Sequence, residues 1–378
     1  MYQAFVVYFL LMASLIGIWR LAIPTALRPA ADVRNEQFVL AAMGIVLYTL
    51  VLGLRHNVGG DFQGYVGYFY SVRDGVTSAD VPFELGFYWL IRVLRYFDLP
   101  PTSLFLATCG IQIAFMSAWL RRYPLLASWF LYFFFTTLIL FRSLDGVRQA
   151  LAFSILLYAI PSLLCRNPIK YVALVALATM FHVSALVFMP LYLVIDRKMP
   201  LARYSQFALM LASYLVAEFL KDLLFEVLPL LSVAANYDGY SEVQEELFFE
   251  SEATGFSLSI AFTLLVNSSL ILLSDRLRLL YSMWGFRAYY NIFLVGALLQ
   301  PVVLAANYIP FARFTYYFDA FRVVILSFLA IWAFTSQDAN RWTRAGGVVI
   351  VGIYFVWFFI AILKGAAWCA PFQFVFQS

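Results

Sequence analysis

The sequence predicts an all-α, polytopic integral membrane protein, and three observations carry that expectation. Hydrophobic residues make up 64% of the 378 residues and charged ones only 12%, whereas an average soluble domain carries about 25% charged residues. The apolar runs are unbroken for about 17–21 residues, the length that matches the hydrocarbon thickness of a bilayer. Those runs do not alternate with polar residues, so they read as helices and not as the strands of a barrel.

Taken in order, spanning helices are expected at about 3–19, 37–54, 103–119, 124–141, 147–164, 204–220, 257–274, 289–309, 315–334 and 345–363, about ten in all. The first run has no basic segment ahead of it and reads as a retained helix, not a cleaved leader. Two further segments are short or interrupted. Residues 84–97 carry Arg92 and Arg95, and 14 residues make a helix of only about 21 Å against a core of about 30 Å. Residues 171–195 hold His182 near their middle and Pro190, with basic residues at both ends (Arg166 and Lys170; Arg197 and Lys198). Like charge at both ends points to a re-entrant hairpin, because one crossing should separate the sides. No repeat or soluble domain interrupts the chain, which is expected to be a single helical membrane domain over 1–378.

Orientation follows from the basic loops. Arg20, Arg28 and Arg34, then Arg276, Arg278 and Arg287, then Arg341 and Arg344 all read as cytoplasmic, which places both termini outside. The middle admits two arrangements. If 84–97 does not span and 171–195 returns, Arg121, Arg122, Arg166 and Lys170 are inside; if each spans once, Arg92, Arg95, Arg142 and Arg148 are inside. The count is equal, and the short length of 84–97 favours the first. Residues 55–83 and 221–256 are then outside loops. The second contains eight acids and a single base, Lys221, as suits an exported loop or a cover over a basic site.

Composition excludes several classes. The net charge of +4 comes from short basic clusters between apolar runs, so no nucleic-acid partner is expected. Cys109, Cys165 and Cys369 lie far apart, there are two histidines, and no Asp-x-Asp occurs. No disulfide framework, metal site or cofactor is expected.

Ionisable groups in or beside apolar helices are costly and are functional candidates by default. They fall in five stretches. Arg55-His56-Asn57-Val58-Gly59-Gly60-Asp61, followed by Tyr65, has two glycines that allow a tight turn bringing Arg55 near Asp61; the plainer reading is a surface ion pair. Glu84 opens the short helix, where a helix dipole also favours an acid. Arg142 through Ala152 places Arg148 at a helix start, with a guanidinium fork suited to phosphate or, alternatively, to Asp145 three residues earlier. His182 is either a hydrogen-bonded structural residue or a base. Arg313 precedes Tyr317, and Asp319 with Arg322 reads as a bridge within one helix.

In the first arrangement these stretches converge on the outer face, with His182 at a hairpin tip pointing toward them. The order Arg55…Gly59-x-Asp61…Tyr65, Glu84-x-Gly86, Arg148-x-x-Leu151-Ala152, Phe181-His182-x-Ser184-Ala185, Arg313…Tyr317-Phe318 resembles the EpsG-like branch of the Wzy polysaccharide polymerases. The resemblance covers most of the chain. It implies joining of undecaprenyl-diphosphate-linked oligosaccharide repeats at the periplasmic or outer face of a bacterial inner membrane, with membrane lipid and a chain-length regulator as further partners. On that implication Asp61, His182 and Glu84 are the candidates for the base. Arg148 and Arg313 are expected on the diphosphate with Arg55 assisting, alongside Arg142, Tyr65 and Tyr317. Two rivals belong to other classes: a lipid-linked oligosaccharide flippase, which should show two similar halves, and a membrane O-acyltransferase centred on His182.

Overall fold

A computed structural model describes residues 1–21, 30–73, 75–195, 197–198, 201–234, 258–306 and 309–377. The described residues are helical almost throughout, as the uninterrupted apolar runs require. Along the chain come α1 (Tyr2–Leu21), α2 (Ala30–Gly53), α3 (Phe62–Ser71), α4 (Leu85–Tyr96), α5 (Thr102–Leu120), α6 (Pro124–Thr136), α7 (Ile139–Asp145), α8 (Val147–Leu164), α9 (Pro168–Thr179) and α10 (Leu191–Val194). They continue with α11 (Arg203–Ala234), α12 (Leu258–Leu272), α13 (Ser274–Tyr281), α14 (Phe286–Ala306), α15 (Ile309–Ala320), α16 (Arg322–Thr335) and α17 (Arg341–Leu363). Strands β1 (Arg55–His56) and β2 (Gln373–Phe374) form one antiparallel pair.

Among the described residues seven helices are long and apolar enough to cross a bilayer, or nine if the bent pairs α6–α7 and α12–α13 each count as one span. The expected number was about ten. The segment expected at 204–220 lies on α11, a helix of 32 residues. That same helix contains residues 221–234, the start of the expected acidic loop; the remainder of the loop, 235–256, lies outside the described residues.

The helices divide into two compact units, Met1–Tyr192 with Leu326–Ser378, and Leu193–Ile325. In the first, α1 packs on α2 and α6, α2 on α5, α5 on α8, and α8 on α9. Helix α8 is the axis: 83% of its residues are buried, against 28% in the apolar stretches of α2 and α17. Local sequence sets several of its helix starts. Pro124 and Pro168 occupy first-turn positions, where a missing N–H costs nothing. The Asn167 side chain accepts from Lys170 N at 3.0 Å, and Asn340 accepts from Thr343 N at 2.8 Å, each capping a helix. Leu138 takes a left-handed conformation, φ 65°, and the chain bends there by 62° between α6 and α7.

In the second unit α14 packs against α11 and α15, and α11 against α12. Tyr290 donates to Gln206 Oε1 at 2.6 Å, and Asn291 Nδ2 donates to Arg197 O at 3.0 Å. The first bond joins α14 to α11, and the second ties α14 to the segment ahead of α11.

Both short segments behave as their lengths require. Helix α4 has 12 residues, about 18 Å, and is not among the candidate spans. Residues 171–195 double back: α9 ends at Thr179, the chain turns through Met180–His182, and a 3-10 helix runs from Val183 to Phe188. Tyr171 at the start of α9 then meets the returning limb, donating to Phe188 O at 2.6 Å and lying 5.3 Å from the Tyr192 ring. Groups in hydrogen-bonding contact lie at one depth. With α6–α7 taken as one bent span, the contacts of the 59–61 turn with α7 (below), and of Glu84 with Arg148 and His182, fit a segment 84–97 that does not cross.

That geometry predicts a labelling pattern. Gln63, Arg121, Arg142 and Arg166 are all exposed, so each accepts a single cysteine in a cysteine-free background. With the orientation expected from the basic loops, an impermeant thiol reagent on intact cells should label positions 63 and 142 but not 121 or 166. Labelling of 63 and 142 from opposite sides would contradict the fold. In the native chain Cys165 is exposed while Cys109 and Cys369 are buried, and burial pushes the Cys369 thiol up to about 12; only Cys165 should react at neutral pH.

Candidate functional site

Glu84 occupies the N-cap position of α4 with an extended backbone, yet its side chain makes no capping bond. The carboxylate reaches instead to two other elements. Oε2 accepts from Arg148 Nη1 at 2.5 Å, at the first turn of α8. Oε1 lies 2.9 Å from His182 Nδ1 and accepts from Val183 N at 3.1 Å, at the tip of the hairpin. Three segments far apart in the chain thus meet on one carboxylate. The side chains of Arg148, Glu84 and His182 are 13%, 16% and 6% exposed, buried enough for charge-assisted bonds to be strong and open enough to meet a ligand.

Packing enforces the convergence. Gly86 N donates to Met180 O at 2.8 Å, and a Cβ at Gly86 would lie 2.7 Å from that same oxygen. Only glycine lets α4 approach the hairpin tip so closely. Phe62, Tyr65, Phe69, Phe83, Phe87, Tyr88, Ile91, Leu104, Phe105 and Val147 form a buried cluster that seats α3 and α4 against α5 and the start of α8. The Arg148 guanidinium lies 5.9 Å from the ring centres of both Tyr68 and Phe87. Arg95 Nη1 donates to Phe69 O at 3.2 Å and Tyr70 O at 3.3 Å, a cation at the carbonyl end of α3.

Burial by itself raises the Glu84 pKa, but the His182 hydrogen bond and the Arg148 charge outweigh it and lower the group from 4.5 to about 2. Glu84 is therefore an anion at any working pH and a poor proton acceptor. A depressed carboxylate contributes stability that is present above its ordinary value and is lost as pH falls through the folded value. Melting in detergent should show wild-type protein losing stability between pH 4.5 and about 2, with that part of the loss missing from Glu84→Gln. An identical acid profile in the variant would refute the coupling.

The first motif is arranged differently from expectation. Arg55 does not pair with Asp61. It is 1% exposed and points inward, donating to Leu52 O at 2.8 Å, Val58 O at 3.2 Å and Leu144 O at 3.3 Å, with its guanidinium 4.7 Å from the Phe105 ring centre. Gly59 has φ 97°, and a Cβ there would fall 2.6 Å from Leu144 O, so the turn can lie against α7 only as glycine. Asp61 is exposed, and its backbone N–H donates to Asp145 Oδ1 at 3.1 Å. Asp145 thus serves this turn, and the acid that holds Arg148 is Glu84.

The chain after α17 folds back on the same turn. Gly59 N donates to Trp368 O at 3.1 Å, β2 pairs Phe374 with Arg55 and Gln373 with His56, and Tyr8 donates to Cys369 O at 2.9 Å. Neither this tail nor Tyr68 and Phe87 was among the expected site residues. No charged residue beyond Lys364 marks the tail in the sequence, and an aromatic beside an arginine is visible only once α3 and α4 are packed. Of the remaining expectations, Tyr65 is buried within the cluster and Arg142 is exposed at α7. Arg313 and Tyr317 lie on α15 in the second unit, Tyr317 fully buried. Arg322 meets Asp319 at 3.1 Å as expected, at the junction of α15 and α16, which together supply the spanning stretch Arg313–Thr335.

A bundle of apolar helices that holds an Arg–Glu–His cluster at one end defines a multi-pass membrane protein with a built polar site. The family model described as the EpsG family matches residues 38–374, and the chain belongs to that family of Wzy-like polymerases. The match takes in every element that meets at Glu84 and ends with β2. No curated protein and no solved structure matches the chain.

Proposed function

We propose that the protein joins lipid-diphosphate-linked oligosaccharide repeats into a longer polysaccharide, with undecaprenyl diphosphate as the carrier and the Glu84 cluster facing the periplasm or outside of the inner membrane. One observation carries the reading beyond family membership: a single carboxylate binds both an imidazole and a guanidinium. In polymerisation an acceptor hydroxyl attacks the anomeric carbon of the donor. The hydroxyl proton must leave, the new C–O bond forms, and the old bond to the diphosphate oxygen breaks with its electron pair.

The residues suit those tasks. A proton held on Nδ1 of His182 by Glu84 leaves the lone pair on Nε2, the nitrogen that takes the hydroxyl proton. Arg148 gives one donor to Glu84, and the rest of its planar fork is suited to the departing diphosphate. Glu84 is a positioning residue in this scheme, which favours His182 over Asp61 and Glu84 as the base. Arg55 belongs to the frame. Arg142 and Arg313 remain proposed contacts of the diphosphate, each testable by substitution with Ala, and a chain-length regulator remains a proposed partner.

The direct test incubates purified protein with the lipid-linked repeat extracted from cells lacking it. A ladder of products is expected; transfer of the intact repeat across vesicles without a ladder would support a flippase, and acyl transfer would support the third class. Turnover should also survive thorough chelation with EDTA, because no Asp-x-Asp occurs in the sequence and fixed guanidinium groups serve the leaving group. Loss of activity on chelation, with recovery on adding magnesium, manganese or calcium, would overturn that part of the scheme.

A further inference from the structure

Trp368 lies five residues beyond the end of α17 and is 72% exposed, although its backbone is held in the left-handed region. Gly365, Ala367 and Trp368 all have positive φ, 63°, 52° and 53°. A bulky residue in the left-handed region is an outlier that persists only when its surroundings hold it. Here the surroundings do: Trp368 N donates to Gly365 O at 3.0 Å, and Trp368 O accepts from Gly59 N at 3.1 Å. The tail beyond it is tied down by Tyr8 and by the β1–β2 pair. Fixing a large apolar ring so that it faces outward serves no packing purpose.

The indole edge rests over Gly60. A Cβ at that position would lie 2.9 Å from Trp368 Cδ1, 3.2 Å from Nε1 and 2.9 Å from Asp145 Oδ1. The turn beneath the ring presents exposed Asn57, Asp61 and Gln63, with Asn57 Oδ1 accepting from Gln63 Nε2 at 3.0 Å. A rigid exposed indole beside amide and carboxylate groups has the two features a sugar ring asks for: an apolar platform for its C–H face and acceptors and donors for its hydroxyls.

We infer that Trp368 and the Asn57–Gln63 turn form a sugar-binding subsite, in which the indole stacks on a pyranose of the glycan and the turn reads its hydroxyls. This rests on the glycan substrate proposed above. Gly60 is required because any side chain there displaces the ring.

The test measures initial rates of polymerisation with the extracted lipid-linked repeat for wild type, Trp368→Ala, Trp368→Phe and Gly60→Ala, each checked for an unchanged melting profile. Trp368→Ala should raise KM by about 2- to 12-fold, the range of one aromatic contact, with kcat little changed; Trp368→Phe should recover most of the loss. Acrylamide quenching of the emission present in wild type and missing from Trp368→Phe should weaken when the repeat is added. Should wild type form no polymer and bind no repeat, the proposed function itself fails. If wild type polymerises while Trp368→Ala keeps its KM, and brominated lipid but not repeat alters the Trp368 emission, the ring is a membrane-interface anchor and the subsite is overturned.

Discussion

Glu84→Gln should lower polymer formation by about 10²–10⁴-fold, the contribution of a positioned acid–base pair, with the protein still inserted and KM little changed. The amide has one acceptor oxygen and one donor nitrogen. If its oxygen faces Arg148, its NH₂ faces His182 Nδ1, which must then accept; the imidazole proton moves to Nε2 and the base is lost. If its oxygen faces His182 and Val183, its NH₂ opposes the Arg148 guanidinium, 2.5 Å away in the native bond. Neither orientation satisfies both partners. His182→Ala should lose about as much, and the double variant no more than His182→Ala alone, because the two act as one unit. Arg148→Ala should cost about 10²–10³-fold, with Arg148→Lys recovering part, since an ammonium keeps the charge and loses the fork. Wild-type turnover in Glu84→Gln would remove the cluster from the mechanism.

The parts of this cluster differ in how far they can be read from sequence, and the reason is range. His182 at a hairpin tip follows from two local facts, an apolar segment interrupted at its middle and basic residues at both of its ends. The shortness of α4 follows from counting residues. The partner of Arg148 does not follow from anything local. Spacing offers Asp145 three residues away, whereas the acid that binds it is 64 residues earlier. That pairing exists because Gly86 lets α4 reach the Met180 carbonyl and because a cluster of aromatic rings sets α3 and α4 against α8. Such packing leaves no periodic mark in an already apolar chain. The return of the C-terminal segment onto the 59–61 turn was hidden for the same reason. Its backbone bonds depend on no particular side chains, and its outward Trp368 looks in sequence like any interfacial tryptophan.

Arg55 shows the converse error, a residue that the sequence marks correctly as important and for a different reason. A charge at a helix end beside the membrane is a functional candidate by default, and a guanidinium suits a phosphate. In the fold its donors are directed to three carbonyls and to Cys109 Sγ at 3.5 Å, so it ties the end of α2 to α5 and α7. Arg55→Ala should therefore act on stability first. Leu52, Val58 and Leu144 would each lose a donor in a buried place, at about 1–3 kcal/mol for each carbonyl left unmade. A total on the order of 3 kcal/mol or more is expected, seen as a lower melting point in detergent and less protein in the membrane. Arg55→Lys should rescue little, because one ammonium cannot span acceptors that Nε, Nη1 and Nη2 now reach separately. The second readout separates frame from ligand contact: among molecules that remain folded, KM for the lipid-linked repeat should match wild type. If Arg55→Lys instead keeps the wild-type melting point and raises KM for the repeat, Arg55 touches the diphosphate and the buried geometry is not the one that binds substrate.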